Sequence, residues 1–192
     1  MNRFFQIITV AALATFSACA GVLSFDTNSS YLTFGLQTGK SITYVNGDIL
    51  TYSPISTTLG SVPSGYPFGS LILSCQGGGT TCGPDLLTGT NLALIFNQTA
   101  PIAGIGTINS SSFSGSITGT TTSQDAKVTW LNPSVNIGPV NYTITNSPLN
   151  LVNAAAGGTT TIQGFVATPE PGSILLMSSG LAGLFFARRR RA

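Results

Sequence analysis

The stretch Ser41-Ile42-Thr43-Tyr44-Val45-Asn46-Gly47-Asp48-Ile49-Leu50-Thr51-Tyr52 decides the fold class of this chain. Its first half places Ile42 and Tyr44 two residues apart between polar neighbours, which is the period-two pattern of a half-buried β-strand. Asn46-Gly47 follows and leads into a second apolar run, and this dipeptide between two such runs is typical of a type I′ hairpin turn. The stretch therefore predicts two antiparallel strands joined by a tight turn.

Similar short runs of β-branched and aromatic residues recur along the body of the chain, residues 21–168. Clusters of Gly, Asn, Pro or Ser separate them, and no part of the body has a sustained helical period or a repeat of fixed length. Many short strands in a body of this size predict an all-β fold, a single antiparallel β-sandwich or jelly-roll-like domain. The predicted strands span residues 31–37, 41–46, 49–52, 70–74, 91–97, 113–118, 127–131, 141–145 and 159–166.

The N-terminal 20 residues have the pattern of a signal peptide. Arg3 supplies a positive charge, residues 4–16 are uncharged and mostly apolar, and small residues follow. Ala18 and Ala20 fit the small subsites of signal peptidase, which predicts cleavage before Gly21. A second interpretation makes Cys19 the lipidated cysteine of a lipobox, although Phe16 stands where leucine is usual.

A second apolar segment lies near the C-terminus, at residues 172–187. As a helix it would span about 24 Å, against about 30 Å for a bilayer's hydrocarbon core, so its length alone does not decide its role. Its flanks favour a transmembrane helix, because arginines can reach the interface and basic clusters stay cytoplasmic. The predicted stop-transfer cluster is Arg188, Arg189, Arg190 and Arg191.

Pro169-Glu170-Pro171, the apolar segment and the arginine cluster together closely resemble the PEP-CTERM sorting signal of exopolysaccharide-producing Gram-negative bacteria. The resemblance covers the last 24 residues, 169–192, and four features coincide in order. It implies that an exosortase, an integral-membrane cysteine protease, recognises Pro169, Glu170 and Pro171 and removes the tail. It also implies an inner-membrane intermediate and delivery to the cell surface or exopolysaccharide matrix. A permanent single-pass anchor with a proline-rich stalk is the alternative.

The charge of the body differs from that of the whole chain. The chain has a formal charge of +2, but between residues 21 and 168 two lysines face four aspartates, which gives −2. The basic character therefore belongs to the ends. A weakly acidic body without a basic stripe offers nothing to a phosphate backbone, so nucleic acid is excluded as an expected partner.

Cys75 and Cys82 are the cysteines that remain once the leader is removed. An even pair in an exported chain, with a glycine-rich spacer, predicts a disulfide that closes a small loop. Free thiols and a metal site are the alternatives. The second has little support, because the chain has no histidine to complete a zinc shell. No metal and no cofactor are expected.

The absence of histidine also excludes Ser-His-Asp and Cys-His catalysis. Thr38-Gly39-Lys40-Ser41 matches only the end of a phosphate-binding loop and is interpreted as a turn between strands. Gly104-Ile105-Gly106 lacks the third glycine of a dinucleotide-binding motif and is interpreted as a loop. No catalytic residues are therefore expected in this chain.

Two patterns keep other functions open. A small polysaccharide hydrolase would need two neighbouring carboxylates, and the candidates are Asp26, Asp48, Asp85 and Asp125. A sugar-stacking platform would need exposed aromatic rings, although aromatic residues at strand spacing belong more often to a core. The candidates for it are Tyr44, Tyr52, Tyr66, Phe68 and Trp130.

The sequence thus predicts three parts: a signal peptide at 1–20, an extracytoplasmic β domain at 21–168 and a sorting signal at 169–192. The function expected is that of an exported, non-enzymatic surface or matrix protein with a structural or adhesive role. Its expected partners are signal peptidase, exosortase, the membrane before processing, and exopolysaccharide. The alternatives are a polysaccharide hydrolase and a lipidated envelope protein.

Overall fold

A computed structural model of the chain describes residues 22–60, 64–75, 82, 85–117, 126–152, 158–168 and 180. Val22–Thr168 form one compact unit. Its strands in chain order are β1 Leu23–Asp26, β2 Tyr31–Phe34, β3 Gln37–Gly39, β4 Ser41–Thr43, β5 Ile49–Ser53, β6 Ser56–Leu59, β7 Ser64–Ser74, β8 Asp85–Leu86, β9 Thr90–Ala100, β10 Gly104–Ser114, β11 Ser116–Ile117, β12 Lys127–Trp130, β13 Ser134–Ile137, β14 Val140–Ile144, β15 Leu149–Asn150 and β16 Thr159–Ala167.

The strands form two large antiparallel sheets and one small one. Sheet A has eight strands in the order β15-β12-β10-β9-β1-β6, with β2 also paired to β9 and β3 to β2. Sheet B has six strands in the order β13-β14-β16-β7-β5-β4, and β8 pairs with β11. The described part is thus an antiparallel β-sandwich, which confirms the predicted fold class.

The hairpin predicted from the opening stretch is present as β4 and β5, with Ile42 opposite Leu50. Its turn is not type I′, however. The N–H of Gly47 donates to the carbonyl of Tyr44 at 2.9 Å, and Gly47 has a φ of 84° while Asn46 has none of the positive φ that type I′ requires. The N–H of Tyr44 donates to the carbonyl of Asp48 at 2.8 Å, so the loop contains the three residues 45–47 instead of the two of a type I′ hairpin.

The predicted loop at Gly104-Ile105-Gly106 is instead the start of β10. A Cβ on Gly104 would lie 2.5 Å from Ile137, and one on Gly106 would lie 2.9 Å from Val135. Both of these partners belong to β13 in the opposite sheet. The glycines therefore let the two sheets approach closely at this edge, which is a packing role that a motif search cannot distinguish from a flexible loop.

Four aromatic rings form the centre of the core. Phe25 and Phe96 come from sheet A, while Phe68 and Tyr142 come from sheet B, and each is at most 2% exposed. Ring centroids are 4.8 Å apart for Phe96 and Phe68, 4.7 Å for Phe96 and Tyr142, and 5.1 Å for Phe25 and Tyr142. These are favourable contact distances for aromatic pairs, so the four rings hold the two sheets together. We call them the aromatic cluster.

A buried polar bond also links the sheets beside the aromatic cluster. The hydroxyl of Tyr142 donates to Oε1 of Gln98 on β9 at 2.8 Å, and Nε2 of Gln98 donates to the carbonyl of Ile102 at 2.6 Å. Gln98 is 2% exposed. Each polar atom named here has a partner, so burying it avoids the cost of an unsatisfied group. The desolvation of Tyr142 raises the pKa of its hydroxyl, which stays protonated and able to donate.

Gly164 on β16 makes room for the aromatic cluster. It lies on the inward face of β16, and a Cβ there would overlap the ring of Phe68. We expect Gly164→Ala to lower the free energy of unfolding by about 3 kcal/mol, because the buried ring has no free space to move into. Urea denaturation of the mature protein measures this effect.

Gly65→Ala is the matched control for that substitution. Gly65 lies on the neighbouring strand β7, and its nearest contact to an added Cβ is the carbonyl of Gly164 at 3.9 Å, an ordinary distance. The control should retain wild-type stability within about 1 kcal/mol. Equal losses from both variants would show that the aromatic cluster does not depend on Gly164.

Candidate functional site

The folded part of the chain continues to the edge of the predicted sorting signal. β16 ends at Ala167, which pairs with Asn141 of β14, and Thr168 is the last described residue before Pro169. β16 lies inside sheet B, between β14 and β7. One residue therefore separates a doubly paired strand from the predicted cleavage signal.

The predicted sorting residues themselves lie outside the described residues. These are Pro169, Glu170, Pro171, Arg188, Arg189, Arg190 and Arg191. The same holds for the signal peptidase residues Ala18 and Ala20, and for segment 172–187 apart from Gly180. In the part of the chain that the structure describes, no helix has the length and hydropathy needed to cross a membrane.

The predicted disulfide is present between Cys75 and Cys82, whose Cα atoms are 4.7 Å apart. Cys75 follows the last residue of β7 and is 4% exposed. A carboxylate oxygen of Asp48 and the two sulfur atoms lie within 4.8 Å of one another. Because a metal ligand must be a thiolate and these sulfurs are bonded to each other, the oxidised group is a structural link rather than a metal centre.

A hydrogen-bonded group connects the β4–β5 turn to β8 and β9 at the same end of the sandwich. Asp85 accepts from the backbone N–H of Asn46 at 3.2 Å and from its Nδ2 at 3.0 Å. The hydroxyl of Tyr44 lies 2.8 Å from Oγ1 of Thr90. Burial, together with the negative charge of Asp85, raises the pKa of Tyr44 to about 12, against the opposing effect of the Thr90 bond. Tyr44 therefore stays neutral and serves as a packing and hydrogen-bonding residue.

The candidate carboxylates occupy different environments. Asp26 is half-buried on β1 and accepts from Nδ2 of Asn97 at 3.2 Å. Asp48 is 0% exposed and Asp85 is 5% exposed, although the β4–β5 turn brings both to one end of the sandwich. Asp125 lies outside the described residues. The Asp85 carboxylate is engaged by the N–H groups of Asn46, and burial leaves neither Asp48 nor Asp85 accessible to a polymer.

The candidate sugar-stacking residues belong mainly to the core. Tyr44, Tyr52, Phe68 and Trp130 are each 5% exposed or less, and Tyr66 is half-buried. The hydroxyl of Tyr52 lies 2.7 Å from Oγ1 of Thr27 and 2.8 Å from the carbonyl of Phe68, and burial raises its pKa to about 12. Sequence analysis missed two exposed aromatic side chains of the described residues: Phe165 on β16, which is 40% exposed, and Tyr31 on β2, which is 38% exposed.

Phe165 lies on a broad polar surface, the outer face of sheet B. Strand register places Phe165 beside Thr143, and Thr143 beside Ser134. Many of the other outward-facing side chains of this sheet are uncharged hydroxyls and amides: Ser41, Thr43, Thr51, Ser53, Ser70, Asn136, Asn141, Thr161 and Gln163. The half-buried Ile49, Pro67 and Ile72 lie on the same face. Alternation along β16, from buried Ile162 to exposed Gln163, is the sequence signal that could have located this face.

Fold and chain layout together define a class of protein: a β-sandwich followed directly by a terminal export signal. The PEP-CTERM protein-sorting motif matches residues 167–191, so the resemblance noted in the sequence is confirmed. The match begins at the last residue of β16. The motif identifies an exported protein that is targeted to an exosortase and reaches the cell surface through the membrane. No curated protein and no solved structure matches the chain.

The disulfide gives a prediction about stability. Replacing both Cys75 and Cys82 by serine should lower the free energy of unfolding by about 2–3 kcal/mol, because the open loop gains entropy in the unfolded chain. Urea denaturation of the mature protein measures the loss. Dithiothreitol should reproduce the loss in the wild type and leave the double variant unchanged. Two reactive thiols in the unreduced native protein would contradict the assignment.

Proposed function

We propose that this chain delivers an intact β-sandwich to the cell surface or exopolysaccharide matrix, where it acts as a structural or adhesive component without catalytic turnover. Signal peptidase removes residues 1–20, segment 172–187 holds the intermediate in the inner membrane, and exosortase then cuts at Pro169-Glu170-Pro171. The observation that carries this proposal is the sorting motif that begins where β16 ends. Cleavage there leaves the sandwich whole.

The surface of the sandwich supports a matrix role. Serine, threonine and asparagine side chains make up much of the outer face of sheet B, and they can donate to and accept from sugar hydroxyls. The body has few charges, so it can pack among neutral or acidic polysaccharide chains without strong repulsion. Phe165 adds one partly exposed ring, of the kind that packs on the apolar face of a pyranose.

Processing is tested in the native host by changing the tripeptide. Replacing Pro169, Glu170 and Pro171 together by alanine should leave a precursor that starts at Gly21 and keeps its tail in the inner-membrane fraction. Intact mass and membrane fractionation detect this species. Wild-type chain in a strain without exosortase should behave identically, whereas Thr168→Ala, one residue upstream, should be processed normally. A tail retained by the wild type in both strains would instead establish the permanent anchor.

The adhesive role is tested by the binding of mature protein to exopolysaccharide from its host. Phe165→Ala should weaken this binding by about fivefold, because one aromatic contact is worth about 1 kcal/mol. Ile105→Ala is the control, since Ile105 is 73% exposed but lies on β10 of sheet A. Release of reducing sugar ends by the wild-type protein would contradict the non-enzymatic role and favour the hydrolase.

A further inference from the structure

The end of the sandwich from which the chain leaves toward its tail includes the β9–β10 loop, the β13–β14 turn, the start of β1 and the end of β16. Ser24 at the start of β1 pairs with Ala100 at the end of β9. The β9–β10 loop then reaches across to sheet B, since an added Cβ on Gly138 would lie 3.6 Å from Ile102. Gly138 belongs to the β13–β14 turn, beside which Ala167 pairs with Asn141. We call this surface the exit end; it comprises Val22, Pro101, Ile102, Ala103, Gly138, Pro139 and Thr168.

The exit end is apolar and exposed. Val22 is 54% exposed and Ile102 is 55% exposed, and Pro101, Ala103 and Pro139 are also exposed. None of its residues carries a charged side chain, and cleavage before Gly21 adds one α-amino group beside Val22. The nearest charged residue along the described strands is Asp26, about 13 Å further up β1 at 3.3 Å per residue.

The other charges of the described residues lie near the opposite end. Lys127 on β12 is paired with Ser114 on β10, and Ser114 lies ten residues beyond Gly104 along that strand. Because a strand rises about 3.3 Å per residue, Lys127 lies about 33 Å from the exit end. Lys40 follows β3, whose Gly39 pairs with Leu32, and it lies more than about 20 Å away by the same measure. A surface lacking charge can approach a bilayer without losing the hydration of ions.

The length of the chain fixes how far the exit end can stand from a membrane. Three residues, 169–171, separate Thr168 from the apolar segment, so even a fully extended chain spans about 14 Å between the Cα atoms of residues 168 and 172. The headgroup layer alone takes about 5–8 Å of this distance. In addition, the helix predicted for segment 172–187 would be about 6 Å shorter than the hydrocarbon core, which would draw its outer end inward.

We propose that the exit end rests on the lipid headgroup layer while the chain is held by its tail, with Val22 and Ile102 in contact with the bilayer interface. This inference rests on the membrane intermediate of the proposed function. The occupant is lipid because the short connection brings the bilayer to this surface, and the exposed aliphatic side chains suit the apolar side of the interface. The sandwich then stands upright, with the disulfide end pointing away from the membrane.

Tryptophan fluorescence of the membrane intermediate, residues 21–192, tests the contact without the apolar leader. Ile102→Trp and, at the opposite end, Val45→Trp are each reconstituted into phosphatidylethanolamine and phosphatidylglycerol vesicles whose acyl chains carry bromine near the headgroups. Val45 is 93% exposed in the β4–β5 turn and is the matched control. The native Trp130 is 5% exposed and common to both variants, so its signal is subtracted with the wild type. We expect quenching at position 102 to exceed that at position 45 by at least about threefold.

Vesicle flotation separates the ways in which the proposal can fail. If the chain floats with vesicles and both positions are quenched equally, the contact with lipid is overturned and the membrane intermediate stands. If the chain does not float, the membrane intermediate fails and the contact fails with it. If position 102 is quenched or protected only when exosortase is present in the vesicles, the exit end binds the protease and the lipid proposal is overturned. Val22→Trp repeats the test should Ile102→Trp not fold.

Discussion

The contact of four aromatic rings between two sheets is the constraint on which the rest of this structure depends. Phe25 and Phe96 meet Phe68 and Tyr142 across the sandwich, and Phe68 can occupy this position because Gly164 on the neighbouring strand of its own sheet has no side chain. The part of the chain that the structure describes carries few charged side chains, and the ring contacts orient its two sheets. Aromatic pairs have preferred geometries that aliphatic contacts lack, and they therefore specify one arrangement.

Polar groups support the aromatic cluster by staying neutral and paired. Tyr142 bonds to Gln98 across the sheets, and Tyr52 reaches Thr27 and a backbone carbonyl within the core. Burial raises the pKa of both tyrosines, so their hydroxyls keep their protons over the range where the protein works. The outer face of sheet B is also poor in charged side chains and presents mainly hydroxyls and amides. Such a surface suits hydration and contact with sugars.

The sequence predicts those parts of the fold whose signal is local. Period-two alternation identified the β4–β5 hairpin, and the cysteine spacing identified the bond between Cys75 and Cys82. The start of β10 could not be predicted, because Gly104 and Gly106 owe their place in a strand to side chains of β13 that arrive from the opposite sheet. Short strands such as β1 and β6 were missed for a related reason, since pairing partners far along the chain define them. Alternation along β16 gives a local signal for the polar outer face, but which other strands share that face becomes known only with strand register.

The close junction of fold and sorting signal links the structure to its proposed role. β16 is held on both sides up to the point where the sorting motif begins, so the protease receives a signal attached to a finished domain. Amide hydrogen exchange of the full-length precursor measures this junction most directly. The account predicts that residues 165–167 are protected as strongly as residues 92–96 at the centre of β9. Exchange of residues 165–167 at the rate of an unstructured peptide would contradict it.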